Sequence, residues 1–201
     1  MKSKLLLTAF VPFGGESLNP AQEAVKRVRA EAHKLYLPVE YENAAKIALN
    51  AIESLKPRAV ICVGQAGGRT GVTPEKYAVN LRNSASPDSA GRLCRNEKIA
   101  PDGPDRLETD FGAEKIVSAL VKAGFKAYLS ESAGTYVCND VLYSVLWALR
   151  GTGVPAGFIH LPYCNEQLSN HPGAFGMDVD TMACALEKAI ETVENSLDQI
   201  P

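Results

Sequence analysis

The sequence predicts an α/β fold: one domain in which a parallel or mixed sheet carries helices on both faces. Three observations lead there. Short apolar runs of strand length recur at residues 4–10, 58–64 and 155–163, and their nearly unbroken apolar character suits parallel strands covered on both sides. Segments with helical periodicity lie between them. Glycine, proline and asparagine punctuate the joins, as repeated strand, turn and helix units require. The chain has 201 residues, enough for one domain burying about 70% of its unfolded surface, so residues 1–201 are read as a single domain.

Taken in order, residues 4–10 (KLLLTAF) form the first strand, followed by the loop VPFGGESLNP and a helix from Pro20 to about Ala32, with proline allowed in the first turn. A short strand is expected at 35–41 and an alanine-rich helix at Asn43–Leu55, stopped by Pro57. RAVICVG at 58–64 is the next buried strand, and it runs into the glycine turn GQAGGR at 64–69. That turn lacks both the G-x-G-x-x-G spacing of a dinucleotide site and the Lys-Ser/Thr of a phosphate loop. Its glycines are read instead as letting backbone approach a small ligand closely. From Thr73 the chain shows one alternating segment (Tyr77, Val79, Leu81) and then a long excursion rich in Pro, Gly, Asp and Ser, of the kind that serves as a lid or binding element. Helices follow at 112–123, after Cys138 up to Leu149, and at 177–197, with strands at 127–130 and 155–163.

Composition excludes several classes. The formal net charge is −2 with Lys and Arg scattered, so no basic patch points to nucleic acid or an anionic membrane. No apolar run reaches the roughly 18 residues that span a bilayer, and residues 5–13, broken by Thr8 and Pro12, read as a buried strand rather than a signal peptide. Five widely spaced cysteines (62, 94, 138, 164, 184) contain no CxxC pair, which argues against a disulfide framework, a zinc site or any metal. Reduced thiols in the cytoplasm are the simplest account.

The residues that point to chemistry are Cys138, His160 and Glu75. Cys138 falls in or just before the first turn of its helix, where unpaired N–H groups and the positive end of the macrodipole favour a thiolate, with a pKa lowered into the range of roughly 3.5 to 7.5 if a cation also helps. His160 ends the next strand and Glu75 follows the glycine turn, so all three belong to one predicted rim of the sheet. Nucleophilic cysteine catalysis needs a thiolate, an imidazole and a carboxylate that orients it. Each residue also has an ordinary structural explanation: a packed thiol, a core histidine, one solvated charge among 23 acidic residues. His33 and His171 lie in polar surroundings and are weaker candidates.

TAFVPFGG followed by NP, VGQAGGR followed by TPEKYAVN, SAGTYVCND, and GFIHLPY followed by EQ resemble, in order and spacing and over nearly the whole chain, the signature segments of the pyroglutamyl peptidase type I family. The resemblance implies an α/β/α sandwich with a mostly parallel sheet, and a cofactor-free cysteine peptidase that removes N-terminal 5-oxoproline from peptides. It implies Cys138 as nucleophile, His160 as acid and base, and Glu75 as the residue orienting it. Phe10 and Phe13 would wall the lactam, with Gln65 near the site, and the chain would be a homo-oligomer, commonly a tetramer.

Two positions depart from the family. Where it carries an arginine in a run like ARIPDN, this chain reads SASPDS, with Ala85 at the arginine position and Arg69 and Arg82 nearby. Cys164 and Asn165 stand where an apolar residue and proline are usual, and Cys164 is expected to be a packed thiol. Two alternatives stay open: a weakly active or non-catalytic binder of pyroglutamyl-like ligands, and a cysteine amidohydrolase acting on another cyclic amide.

Overall fold

A strand that is apolar on both sides of its pleat must be covered on both sides, and Leu5–Phe10 is buried at every residue. In the computed structural model, which describes residues 4–199, this strand (β1) is an interior strand, second from one edge of a five-stranded sheet. Ala32–Leu37 (β2) and Val60–Gln65 (β3) flank it in parallel, and Ala156–Leu161 (β7) pairs in parallel with β3. Thr73–Pro74 (β4) closes the far edge antiparallel to β7, giving the order β2-β1-β3-β7-β4 and a mixed, mostly parallel sheet. Small pairs form outside it: Tyr77–Val79 (β5) with Arg106–Glu108 (β6), and Tyr163–Cys164 (β8) with Gly176–Met177 (β9).

Successive side chains of a strand point to opposite faces, and the core divides accordingly. Leu5, Leu7 and Ala9 pack with Pro20–Arg27 (α1), Ala113–Lys122 (α3) and Val179–Leu197 (α5), whereas Leu6 and Phe10 pack with Asn43–Leu55 (α2) and Val137–Leu149 (α4). The result is the expected α/β fold of one domain with helices on both faces. No helix among the described residues is long and apolar enough to cross a membrane.

Four expected elements differ. The first helix ends at Arg27 rather than near Ala32, because the chain becomes extended at Val28 (ψ 128°) and pairs Ala32 with Leu5. Register against β1 overrides the helical propensity of residues 28–31, and the strand expected at 35–41 runs instead over Ala32–Leu37. The expected buried strand at 127–130 is reduced to two isolated parallel bridges, Val72 with Ala127 and Glu75 with Ser130, and Tyr128 is exposed. Pro74 lies between those bridges and has no N–H to continue the ladder. The last helix starts at Val179, with the Asp178 carboxylate accepting from the Thr181 amide as a cap.

The long excursion is held by side chains of α4 more than by a core of its own. Asn139 reads β5 like a neighbouring strand, accepting from the Val79 amide and donating to the Val79 and Leu81 carbonyls. Tyr143 donates to the Pro104 carbonyl at 2.7 Å. Arg82 Nε donates to Asp140 Oδ1 at 2.7 Å, both residues being buried. Burial holds the Asp140 carboxyl above its ordinary range, although Arg82 lowers it. Arg82→Met strands that carboxylate and is expected to lower stability by about 3–5 kcal/mol in a urea melt near neutral pH. The loss shrinks in acid, where a neutral Asp140 no longer needs a cation.

Candidate active site

Parallel strands bring their carboxyl ends to one edge, where open α/β sheets place ligands. Gly64 of β3 is paired with His160 of β7, and Thr73 of β4 is paired with His160 from the other side. Two residues past Thr73, Glu75 is fully buried, its amide bonded to the Phe158 carbonyl. This register sets Glu75 Oε1 2.7 Å from His160 Nδ1. With Nδ1–H donating to the carboxylate, Nε2 is left as the free lone pair.

Cys138 reaches the same place from α4. Tyr136 caps that helix with extended backbone, and the first helical bond runs from the Asp140 amide to the Tyr136 carbonyl. The N–H groups of Val137, Cys138 and Asn139 therefore have no intrahelical acceptor. A Cβ placed on Gly64 would lie 3.1 Å from Cys138 Sγ and 2.8 Å from Phe158 Cζ. The Phe158 ring in turn lies 4.6 Å, centroid to centroid, from the His160 imidazole. Thiol, aromatic ring and the His160 partner strand thus meet over a residue with no side chain. Gly64→Ala is expected to lower kcat/KM by about 10- to 100-fold, because an ångström of misplacement is costly at a reacting atom. Overpacking should cost a further 1–3 kcal/mol or so in a thermal melt.

The electrostatics of Cys138 differ from the expectation. Burial pushes its thiol up to about 12, the Glu75 carboxylate adds to the rise, and the Cys138 amide at the helix start gives the smallest effect, downward. Desolvation outweighs the helix terminus here because the sulfur is packed between a strand and Phe158. The resting thiol is protonated at neutral pH, so its reaction requires a base beside it.

The other expected residues fall in different places. Phe13 is half-buried and lines a cavity of about 570 Å³ with Ala85, Ser86, Thr135 and Tyr136, whereas Phe10 is buried in the core with its ring 6.5 Å from Phe158. Gln65 at the end of β3 accepts from the Gln167 amide at 3.3 Å. Cys164 is buried, as expected for a packed thiol, and burial raises it to about 11. Arg82 is committed to Asp140 and Glu42 and does not stand in for an arginine at Ala85. Arg69 Nη2 instead donates to Glu75 Oε1 at 3.1 Å and to the Ser132 carbonyl at 3.0 Å. The glycine turn signalled a close approach, and its Gly64 admits Cys138 while Gly67 sits under the Tyr163 ring. No group of three or more His, Cys, Asp or Glu among the described residues could hold a metal ion.

An α/β sheet that gathers a cysteine at a helix start, an imidazole and a buried carboxylate at one edge defines a hydrolase of the cysteine class. The chain belongs to the pyroglutamyl peptidase family, whose model matches residues 3–196. It is 42% identical over 197 residues to the pyrrolidone-carboxylate peptidase of Lactobacillus helveticus, covering 94% of this chain and 98% of that one. Among solved structures it is similar to pyroglutamyl peptidase I from Bacillus amyloliquefaciens (TM-score 0.91, 37% identity, 96% and 95% of the two chains). It is also similar to the pyrrolidone carboxyl peptidase from Thermococcus litoralis (TM-score 0.92, 32% identity, 100% and 97%).

Proposed function

We propose that this chain is a cysteine peptidase that removes an N-terminal pyroglutamyl residue from peptides, with Cys138 as nucleophile, His160 as acid and base, and Glu75 orienting the imidazole. The observation that carries the assignment of roles is the 2.7 Å contact between His160 Nδ1 and buried Glu75, beside the Cys138 thiol packed on Gly64. His160 Nε2 takes the thiol proton as Sγ bonds to the pyroglutamyl carbonyl carbon, a coupled step that suits a thiol whose resting form is neutral. The N–H groups opening α4 face the oxyanion. The C–N bond then breaks, the departing amine receives the proton from His160, and a thioester remains. His160 deprotonates a water that attacks the thioester, releasing 5-oxoproline and restoring the thiol. A neutral lactam suits a pocket without a paired charge, and a free α-amino group buried there would be costly.

The experiment is a comparison of pyroglutamyl and prolyl fluorogenic amides. The first should be cleaved with kcat/KM at least about 100-fold above the second; equal turnover would overturn the substrate assignment. The side chain at position 85 favours one further reading, a weakly active binder, because alanine lines the cavity there. Ala85→Arg separates the two: on that reading it raises kcat by about tenfold or more, whereas an unchanged kcat leaves the peptidase complete without it. The family resemblance supports a homo-oligomer, by that resemblance a tetramer, which sedimentation velocity would test. The five free cysteines suit a reducing compartment such as the cytoplasm.

A further inference from the structure

The Glu75 carboxylate has an uneven set of partners. Both of its donors converge on Oε1, His160 Nδ1 at 2.7 Å and Arg69 Nη2 at 3.1 Å, whereas Oε2 is buried without a hydrogen-bond partner. A fully buried carboxylate with one bare oxygen is held through Oε1 alone, so the groups that donate there set where it points. Oε1 can accept from Nδ1–H only while it faces the ring, and an imidazole whose hydrogen moved to Nε2 could no longer accept the proton of Cys138.

We propose that Arg69 is a positioning residue for the reaction, which holds Glu75 Oε1 against His160 Nδ1 and thereby fixes the tautomer of His160. The inference rests on the cysteine-peptidase reading above. Three facts support it. The Arg69 side chain is about three-quarters buried, with an exposure of 25%, so its charge is screened less than that of a fully exposed arginine. Its Nη2 also donates to the Ser132 carbonyl at 3.0 Å, six residues before the nucleophile, so one group joins the glycine turn, the carboxylate and the segment leading to Cys138. The other charged or titratable groups about Glu75 do not replace it. His160 faces it from β7, Cys138 lies on the α4 side, and neighbouring Lys76 is engaged with Glu114 at 3.3 Å. Glu75 disfavours the Cys138 thiolate, and Arg69 offsets that negative charge at its source.

The sign of the pH effect follows. Removing the cation beside Glu75 leaves that negative charge facing Cys138 unopposed, which disfavours the thiolate. That change moves the acid limb of kcat/KM to higher pH.

The test compares Arg69→Met and Arg69→Lys in the full chain, with the pH profile of pyroglutamyl amide cleavage as the readout. Arg69→Met is expected to lower kcat by about 100-fold with KM changed by less than about threefold, and to displace the acid limb upward. Arg69→Lys, which keeps the charge, should recover at least about tenfold of the loss and return the limb toward its original position. A second measurement asks whether Arg69 acts through Glu75. In a Glu75→Gln background, Arg69→Met should add less than about threefold. Wild-type activity and profile in Arg69→Met, a loss with an unmoved acid limb and no recovery by lysine, or a full additional loss in the Glu75→Gln background would each overturn the proposal. If Arg69→Met does not fold, Arg69→Gln is measured in its place, since it keeps a donor for Ser132 without the charge. Should the wild type not cleave the pyroglutamyl amide, the substrate reading fails, and Arg69 is judged by iodoacetamide alkylation of Cys138 followed by peptide mass mapping. The midpoint in pH should then rise in Arg69→Met and return in Arg69→Lys, and an unchanged midpoint overturns the role of Arg69 by itself.

Discussion

Cys138→Ala is expected to reduce cleavage of a pyroglutamyl amide to background, a loss of at least about 10⁴-fold in kcat. The reaction has one covalent bond to make, from Sγ to the carbonyl carbon, and alanine leaves the site without an atom to make it. What survives is the part that needs no nucleophile: a pocket, the N–H groups opening α4, and the Glu75–His160 pair. In enzymes of this logic that residue of catalysis stays orders of magnitude below the intact site. Folding should be little affected, because the sulfur is small and the helix start depends on Tyr136 and the Asp140 amide rather than on the thiol. The check is a progress curve at enzyme concentrations high enough to detect one part in 10⁴ or so, with a thermal melt beside it. Turnover within tenfold of wild type would show that another group is the nucleophile. Binding of 5-oxoproline to the variant, measured by calorimetry, should persist.

Glu75→Gln is expected to lower kcat by about 10³- to 10⁴-fold with a nearly unchanged KM. Glutamine has the same shape, so the packing around a fully buried side chain is kept. Its amide, however, can donate to His160 Nδ1, which forces the ring hydrogen onto Nε2 and removes the base that Cys138 needs. The dependence is strong because the Cys138 thiol is raised to about 12 and does not ionise unaided near neutral pH. As pH rises, a growing fraction of thiol ionises without help, so the deficit of the variant should narrow toward alkaline pH. A rate profile from pH 6 to 10 or so, spanning the ordinary range of His and Cys titration, measures this. A deficit smaller than tenfold at pH 7 would show that His160 is oriented by something other than Glu75.

Much of the fold is legible because hydrophobic periodicity is local. LLLTAF, RAVICVG and GFIHL announce strands by apolar runs, and the strict position of helix α2 follows from its alanine pattern and Pro57. The shortened first helix and the lost strand at 127–130 were not legible, since both are decided by partners far along the chain. One is set by register against β1 and the other by a proline on the neighbouring edge. The candidate site divides in the same way. Its residue types and their order along the chain are readable, and so is the family resemblance carried by four motifs.

What the sequence by itself determined is which groups are present: a cysteine at a helix start, a histidine ending a strand, a carboxylate after a glycine turn, and an alanine at position 85, where the family resemblance leads one to expect arginine. The tertiary structure alone decided how those groups bear on one another. It paired Gly64 with His160 so that Cys138 could enter, buried Glu75 against Nδ1, gave Arg69 rather than Arg82 to that carboxylate, and raised the thiol that the helix start was expected to lower. The physical reason is that ionisation and hydrogen bonding depend on solvent exclusion and on contacts a few ångströms long, most of them between segments far apart in the chain, and neither is encoded in local spacing.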